Sequence, residues 1–574
     1  MRSYILTESG ARRVPFFWLA LLTLAYLLPG FSPRDPWGSA DATGFGVALS
    51  MAQGGVADWL KPSAFGLPLP EEGPLSSALL AAGILLFSGW LNPHDSARLV
   101  CALLVGLGLI FLWWAAFLFA RRPEIQPSDP FGASASPGLI SRSMADAAVL
   151  VALACCGPII RLHETTPEAV QFTWTALLLL GAALSLEHPR LGGILAGIAL
   201  AATALGTSPL LAILLGAAWL SAHLWSPPMR VRARPSILPC LLVGGALTTV
   251  WPLALMVWDD GGWAWLSAWW QGAWVQWAQI DPIRTEFART LAWFAWPAWP
   301  LAIWTLWKWR RLLREPALFA PVAFALAVMA HLLLQSRSIE QAMIPLVLPL
   351  ALLAIWGLPT MARRFAELLD WLAVSLFSLF LVFIWSYWLA LHLGYPPRMA
   401  ASAVRVAPDY QPGAVMLSGL IGAGATLAWL LVIRWRLSAR SRVVWRPVVL
   451  SASGLVITWV LLVTLWLPIF DQRKSLRGPA LEASATITRF DTGKTPGTPL
   501  VCARDLGPAE RTAFAYFGSI RISSDSQTCG WLLRGSTAGS PSGRDADDVR
   551  WERVWQGGRR IDPAERFTLY RRAP

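Results

Sequence analysis

A succession of apolar runs, mostly about 17 to 25 residues long and parted by short arginine-bearing loops, constrains this chain more than any other feature. Runs such as Val14 to Gly30 and Val448 to Phe470 have the length an α-helix needs to cross roughly 30 Å of hydrocarbon. Lipid offers the backbone no hydrogen-bond partners, so each run must close its own bonds as a helix. Composition agrees: 55% hydrophobic residues, 14% charged and a mean hydropathy of +0.51 leave more apolar surface than a soluble 574-residue fold could bury. The sequence predicts an α-helical polytopic membrane protein of about thirteen spans. They fall near 14–30, 98–120, 146–160, 168–186, 191–207, 208–225, 236–257, 288–307, 320–335, 342–358, 370–394, 414–433 and 448–470.

Arginines set the orientation. Arg12/Arg13, Arg121/Arg122, Arg190, Arg230/Arg232/Arg234, Arg310/Arg311/Arg314, Arg363/Arg364 and the run Arg434 to Arg446 fall at alternate loops, which read as cytoplasmic by the positive-inside rule. The expectation is a bacterial inner-membrane protein with a cytoplasmic N-terminus and residues 471–574 on the periplasmic side. Net charge +13 and pI near 10.1 are spread over short loops as topology signals and phospholipid contacts, which argues against nucleic acid. The first apolar run ends without a small-residue cleavage site and reads as a retained anchor.

Most of the chemistry-bearing side chains follow the first span. The first outer loop, 31–97, holds Asp35, Asp41, Asp58, Lys61, Glu71 and Glu72. Residues 41–54 read as a short helix lying on the membrane, with Phe45, Val47, Leu49 and Met51 offered to lipid. The segment from Gly73 to Trp90 reads as an interfacial helix, since a span there would put Arg121/Arg122 outside.

The strings DATGF, DWLKP, GLPLPEEGPL, LFSG and SARL resemble, in order and spacing, the first outer loop of polyprenyl-phosphate-sugar glycosyltransferases of the aminoarabinose transferase and protein O-mannosyltransferase type. The resemblance covers about sixty residues and implies the membrane C-type glycosyltransferase fold with a small α/β C-terminal periplasmic domain. It places Asp41 at the family's catalytic acid position, Glu71 at its metal-associated glutamate and Arg98 at the arginine of its R-L element. It also exposes departures: Ala42 replaces a second acid, Phe45 and Leu69 replace tyrosines, Gly73 a proline, and Glu72 the basic residue after the glutamate. The implied activity is inverting, metal-assisted transfer of a sugar from a polyprenyl-monophosphate donor to a lipid A, other glycan or protein acceptor.

The residues support that chemistry on their own terms. Sugar transfer from a lipid phosphate needs a base for the nucleophile and neutralisation of the leaving phosphate. Asp41 suits the base. Arg98, Lys61, Arg161, Arg284 and Arg337 are outward-side cations for the phosphate, and a divalent metal held by Glu71 or His163 is a further source of positive charge. The bland alternatives are an N-cap at Ser39 or Asp41, a solvated pair at Glu71/Glu72, a surface role for His163 and scaffold roles for Asp35 and Asp58. A second outer loop, RLHETTPEAVQF, carries Arg161, His163, Glu164 and Glu168 toward the same face. His331 reads as a packing residue, and His94 as a neighbour of Arg98.

Residues 258–287 form a tryptophan-rich loop with Trp263, Trp265, Trp269, Trp270, Trp274 and Trp277, bordered by Asp259, Asp260, Asp281, Arg284 and Glu286. It reads as a headgroup anchor or as a lid over a lipid and sugar cavity. The tail, 471–574, alternates strand-like runs with turn residues and reads as a mixed α/β domain, with Cys502 and Cys529 as a candidate disulfide. No internal repeat is evident, which weighs against the rival reading of a lipid-linked glycan flippase or transporter. A catalytically inactive polyprenyl-phosphate-binding relative is the other rival, motivated by Ala42 and Glu72.

Overall fold

The computed structural model describes residues 6–31, 34–127, 134–274, 280–334, 339–406, 410, 415–438, 443–490, 499–523, 529–536, 551–559 and 565–572, with all their side chains except those of 280–285, 363, 406, 437, 438 and 536. Among them, ten helices are long and apolar enough to cross a membrane: Pro93–Ala120, Pro137–Ala154, Pro167–Leu184, Pro189–Gly206, Ala233–Trp258, Pro316–Leu334, Ile339–Thr360, Arg364–Leu393, Val415–Arg436 and Arg446–Lys474. Each remaining predicted run is helical but shorter. Phe16–Leu27 has 12 residues and Pro209–Trp225 has 17.

The run expected over 288–307 divides into Ile280–Phe294 and Ala298–Lys308. Pro297 has no N–H to give and disfavours helix at the residue before it. The carbonyls released at this corner are taken by the turn after helix Pro137–Ala154, where Gly157 N–H donates to Phe294 O at 2.9 Å and Cys156 N–H to Trp296 O at 3.3 Å. Gly157 permits that approach, since a Cβ there would stand 2.0 Å from the Phe294 ring.

The first outer loop folds into helix Ser39–Gln53, the short helix Val56–Leu60, a two-stranded hairpin of β1 (Ser63–Ala64) and β2 (Leu67–Pro68), and helix Pro74–Phe87. The hairpin turns through Phe65 and Gly66, both at positive φ (47° and 80°), the backbone twist that two-residue hairpins favour. Helix Pro74–Phe87 has 14 residues, about 21 Å, too short for a full crossing.

The tail forms a five-stranded mixed sheet in the order β4-β3-β5-β7-β6, with β3 Leu500–Arg504, β4 Arg521–Ser523, β5 Trp531–Ser536, β6 Trp551–Gly557 and β7 Arg566–Arg572. Helices Arg477–Phe490 and Pro508–Gly518 cover it, burying Ile487, Val501, Phe514, Leu533, Phe567 and Leu569 in one core. Cys502 and Cys529 form a disulfide joining β3 to the approach to β5.

This domain docks on the first outer loop and corrects one expectation. Phe45, Val47, Leu49 and Met51 do not face lipid; all are at most 2% exposed. Helix Ser39–Gln53 is packed between Pro74–Phe87 and Pro508–Gly518. Tyr516 stands edge-on to Phe45 at 5.1 Å, and its hydroxyl meets His94 Nδ1 at 2.9 Å. Gly46 makes the contact close, because a Cβ there would fall 1.9 Å from Thr512 Oγ1.

Candidate active site

Asp41 sits in the first turn of helix Ser39–Gln53, where the positive end of the helix favours a carboxylate. Neither Ser39 nor Asp41 caps the helix; the N-cap is Gly38, at φ 86°, with no side-chain cap bond. The carboxylate instead reaches across to other elements. Oδ2 accepts from Arg98 Nη2 at 3.0 Å and Arg34 Nη2 at 3.2 Å. Oδ1 accepts from Thr165 N–H at 2.8 Å. The Thr165 hydroxyl lies 2.8 Å from Oδ1 and 2.9 Å from the Asp41 carbonyl, donating to one at a time. Gly44, one turn on, allows this: a Cβ there would stand 1.8 Å from the Thr165 carbonyl oxygen.

Asp41, Arg98 and Arg34 are 1%, 3% and 3% exposed. Burial by itself would raise the Asp41 pKa, but Arg98, Arg34 and the Thr165 hydrogen bonds outweigh it and hold the carboxyl below its ordinary range. Asp41 is thus ionised. Arg34 is pulled down to about 10, chiefly by burial and then by Arg98, and so keeps its charge at neutral pH.

The framework around this pair joins three parts of the chain. Arg98 donates to the carbonyls of Arg34 and Asp35. The Asp35 side chain accepts from Ser475 Oγ at 2.8 Å and Arg477 Nη2 at 2.6 Å, and its N–H donates to Asp471 Oδ1 at 2.8 Å. Asp35 therefore ties the Asp41 centre to the exit of the last long helix. Asp58 is local, accepting from Gly55 N–H at 2.9 Å at the start of its own helix.

In the second outer loop, Arg161 pairs with Glu164 Oε1 at 2.7 Å and with Glu340. Burial pushes Glu164 up to about 7, against the opposing pull of Arg161. His163 turns inward: Nδ1 faces the Ile159 carbonyl, Nε2 lies 2.9 Å from the Tyr26 carbonyl, and the ring packs 4.8 Å from Trp459. Burial drives its pKa to about 4, so the ring is neutral. Both nitrogens face backbone carbonyls, and the neutral ring, with a single N–H, donates to one of them at a time.

Glu71 lines a separate small pocket, partly open to solvent, whose wall also includes Glu168, Thr207, Ser208 and His331, with Gly272 and Ala273 from the tryptophan-rich segment. Gly272 brings that segment against Glu71, since a Cβ there would lie 2.7 Å from Glu71 Cβ. The segment is seated by Trp269 on Trp251 at 5.2 Å and by Trp251 Nε1 donating to the Leu60 carbonyl at 2.9 Å. Lys61 belongs to this seat: Nζ pairs with Asp259 at 2.5 Å and lies 5.7 Å from the Trp265 ring. Arg337 lies outside the described residues, as does the side chain of Arg284. Among the described residues, no three His, Cys, Asp or Glu side chains gather as a metal site, and Glu71 and His163 stand in different environments. The described residues do not fit a side-chain metal centre.

Sequence reasoning reached Asp41 and Arg98 through the local motif. It did not single out Arg34, visible only as a cation beside Asp35, or Thr165, which lies 124 residues from Asp41. It also passed over Gly44 and Gly46, whose signal is two missing side chains one helical turn beyond Asp41.

With this geometry in place, the fold can be matched. No family model and no curated protein matches the sequence. Among solved structures, the chain is similar to ArnT from Cupriavidus metallidurans in the apo state, at 16% identity and TM-score 0.62 over 96% of this chain and 98% of that one. It is also similar to the same protein bound to undecaprenyl phosphate, at 14% identity and TM-score 0.61 over 97% and 98%. A looser likeness, at 11% identity and TM-score 0.42, is to an oligosaccharyltransferase from Archaeoglobus fulgidus, over 90% of this chain and 64% of that one. The fold is therefore the one seen in the ArnT structures.

Proposed function

We propose that this protein is a membrane glycosyltransferase that moves a sugar from a polyprenyl-monophosphate donor to an acceptor on the outer face, with Asp41 as the catalytic carboxylate. The observation that carries this reading is the buried, ionised Asp41 held under Arg34 and Arg98 at the meeting of both outer loops, in an ArnT-like fold. One of those ArnT structures holds undecaprenyl phosphate, which supports the class of donor. The Cys502–Cys529 disulfide supports placing the C-terminal domain in an oxidising compartment, hence outside.

The chemistry follows from the pairing. With both arginines on Oδ2, Asp41 is a weak base. A donor phosphate competes for the same guanidinium donors, and as it draws charge from them the carboxylate regains basicity. The acceptor hydroxyl then attacks the anomeric carbon, its proton passes to Asp41, and the carbon–oxygen bond to the polyprenyl phosphate breaks with inversion. The arginines neutralise the charge left on the departing phosphate. The Glu71 pocket, lined by Glu168, Thr207 and Ser208, offers carboxylates and hydroxyls as hydrogen-bond partners for a sugar.

Cells lacking the protein test this. We expect a polyprenyl-phosphate sugar to accumulate and one class of envelope glycolipid, glycan or glycoprotein to lose a sugar. Unchanged lipid-linked sugars together with unchanged envelope products would contradict the assignment.

A further inference from the structure

Residue 72, beside Glu71 on the first outer loop, is also a glutamate, so this pair offers a donor phosphate no cation. Trp37, just before helix Ser39–Gln53, has two cations over its ring: the Lys474 ammonium at 4.3 Å and the Arg34 guanidinium at 5.1 Å from the centroid. One cation on an indole is favourable; two repel each other, and since Arg34 is paired with Asp41, Lys474 is the charge left over.

The hydrogen-bonding capacity there is also unspent. Arg34 is 3% exposed, yet its Nε is buried with no hydrogen-bond partner, and the same holds for Arg98 Nε and Trp37 Nε1. A buried donor without an acceptor is costly. Lys474 is exposed and, among the described residues, pairs with no carboxylate. Arg161, Arg34 and Arg473 repel its charge, and Glu164 attracts it. An anion with several acceptor oxygens satisfies these donors and relieves the repulsion; a neutral sugar hydroxyl does only the first.

We propose that Arg34, Trp37 and Lys474 form a phosphate-ester site for the lipid-linked donor, with Lys474 on the last long helix supplying the cation that Glu72 does not. The proposal rests on the transferase reading of the Asp41 centre and adds to it the source of the phosphate contact.

The test is binding to the full chain in lipid nanodiscs, using a polyprenyl monophosphate and, as control, the matching polyprenyl alcohol. Lys474→Gln is expected to weaken monophosphate binding roughly tenfold, the loss of one charge-assisted contact. Alcohol binding and the melting temperature should stay unchanged, and Lys474→Arg should restore affinity. Trp37→Leu should weaken the monophosphate several-fold through loss of the cation platform. Equal monophosphate affinity in wild type and Lys474→Gln overturns the site, as does an equal loss for the alcohol. Unchanged monophosphate binding with a raised KM for a phosphate-bearing acceptor assigns the cation to the acceptor and overturns the donor claim. If wild type itself does not prefer the monophosphate over the alcohol, the transferase reading falls with it.

Discussion

The Asp41 junction and the Glu71 cavity lie on the same outer loop and are built on opposite principles. At Asp41 both carboxylate oxygens are filled, by two arginines and a threonine, and nothing is exposed. At Glu71 a small pocket, partly open to solvent, lies beside a tryptophan-rich segment. The first is a dry, fully paired electrostatic frame; the second is a polar pocket in contact with solvent. Charge set in advance in a dry place costs little to reorganise during reaction, whereas a cavity must open to load and release.

If that contrast holds, damage to the junction should be severe and damage to the cavity's seat mild. Asp41→Asn should lower transfer at least about a hundredfold through loss of the base. Asp41→Ala should in addition destabilise the fold by about 3–5 kcal/mol, because it leaves two buried arginines uncompensated; thermal unfolding in detergent reads this. Gly44→Val should come next. Its side chain collides with the Thr165 backbone, and about 1–3 kcal/mol of overpacking should accompany loss of transfer.

Cys502→Ser tests the docked domain instead, and should cost about 3.5 kcal/mol from a 27-residue separation, read as a lower unfolding temperature. Glu164 gives a pH signature. Its folded pKa of about 7 lies above its ordinary 4.5, so its contribution to stability is full below pH 4.5 and is lost as pH rises through 7. Glu164→Gln should flatten that slope. Lys61→Gln should have the smallest effect: Lys61 and Asp259 are 30% and 34% exposed, and such pairs contribute about 0–1 kcal/mol.

The parts legible in the sequence were those written locally. Apolar run length gave the helical membrane class, and the spaced strings of the first outer loop gave the C-type fold that the ArnT structures match. Local pattern also over-reached. Phe45, Val47, Leu49 and Met51 read as lipid-facing because nothing in residues 41–54 announces that helix Pro508–Gly518 covers them. His163 read as a surface residue or a ligand, whereas the fold buries it with both ring nitrogens turned toward backbone carbonyls. Thr165 and Arg477 have no local signal, since they join the centre across 124 and 442 residues. The run over 288–307 read as one span because apolar length was weighed and the break at Pro297 was not.

The central claim is that Asp41 does chemistry in the frame its arginines provide. The most direct measurement is single-turnover transfer from a labelled polyprenyl-phosphate sugar by purified wild type and Asp41→Asn, with donor binding measured on the same samples. The account predicts that folded Asp41→Asn still binds donor but transfers at least about a hundredfold more slowly. Transfer by Asp41→Asn at close to the wild-type rate would contradict it.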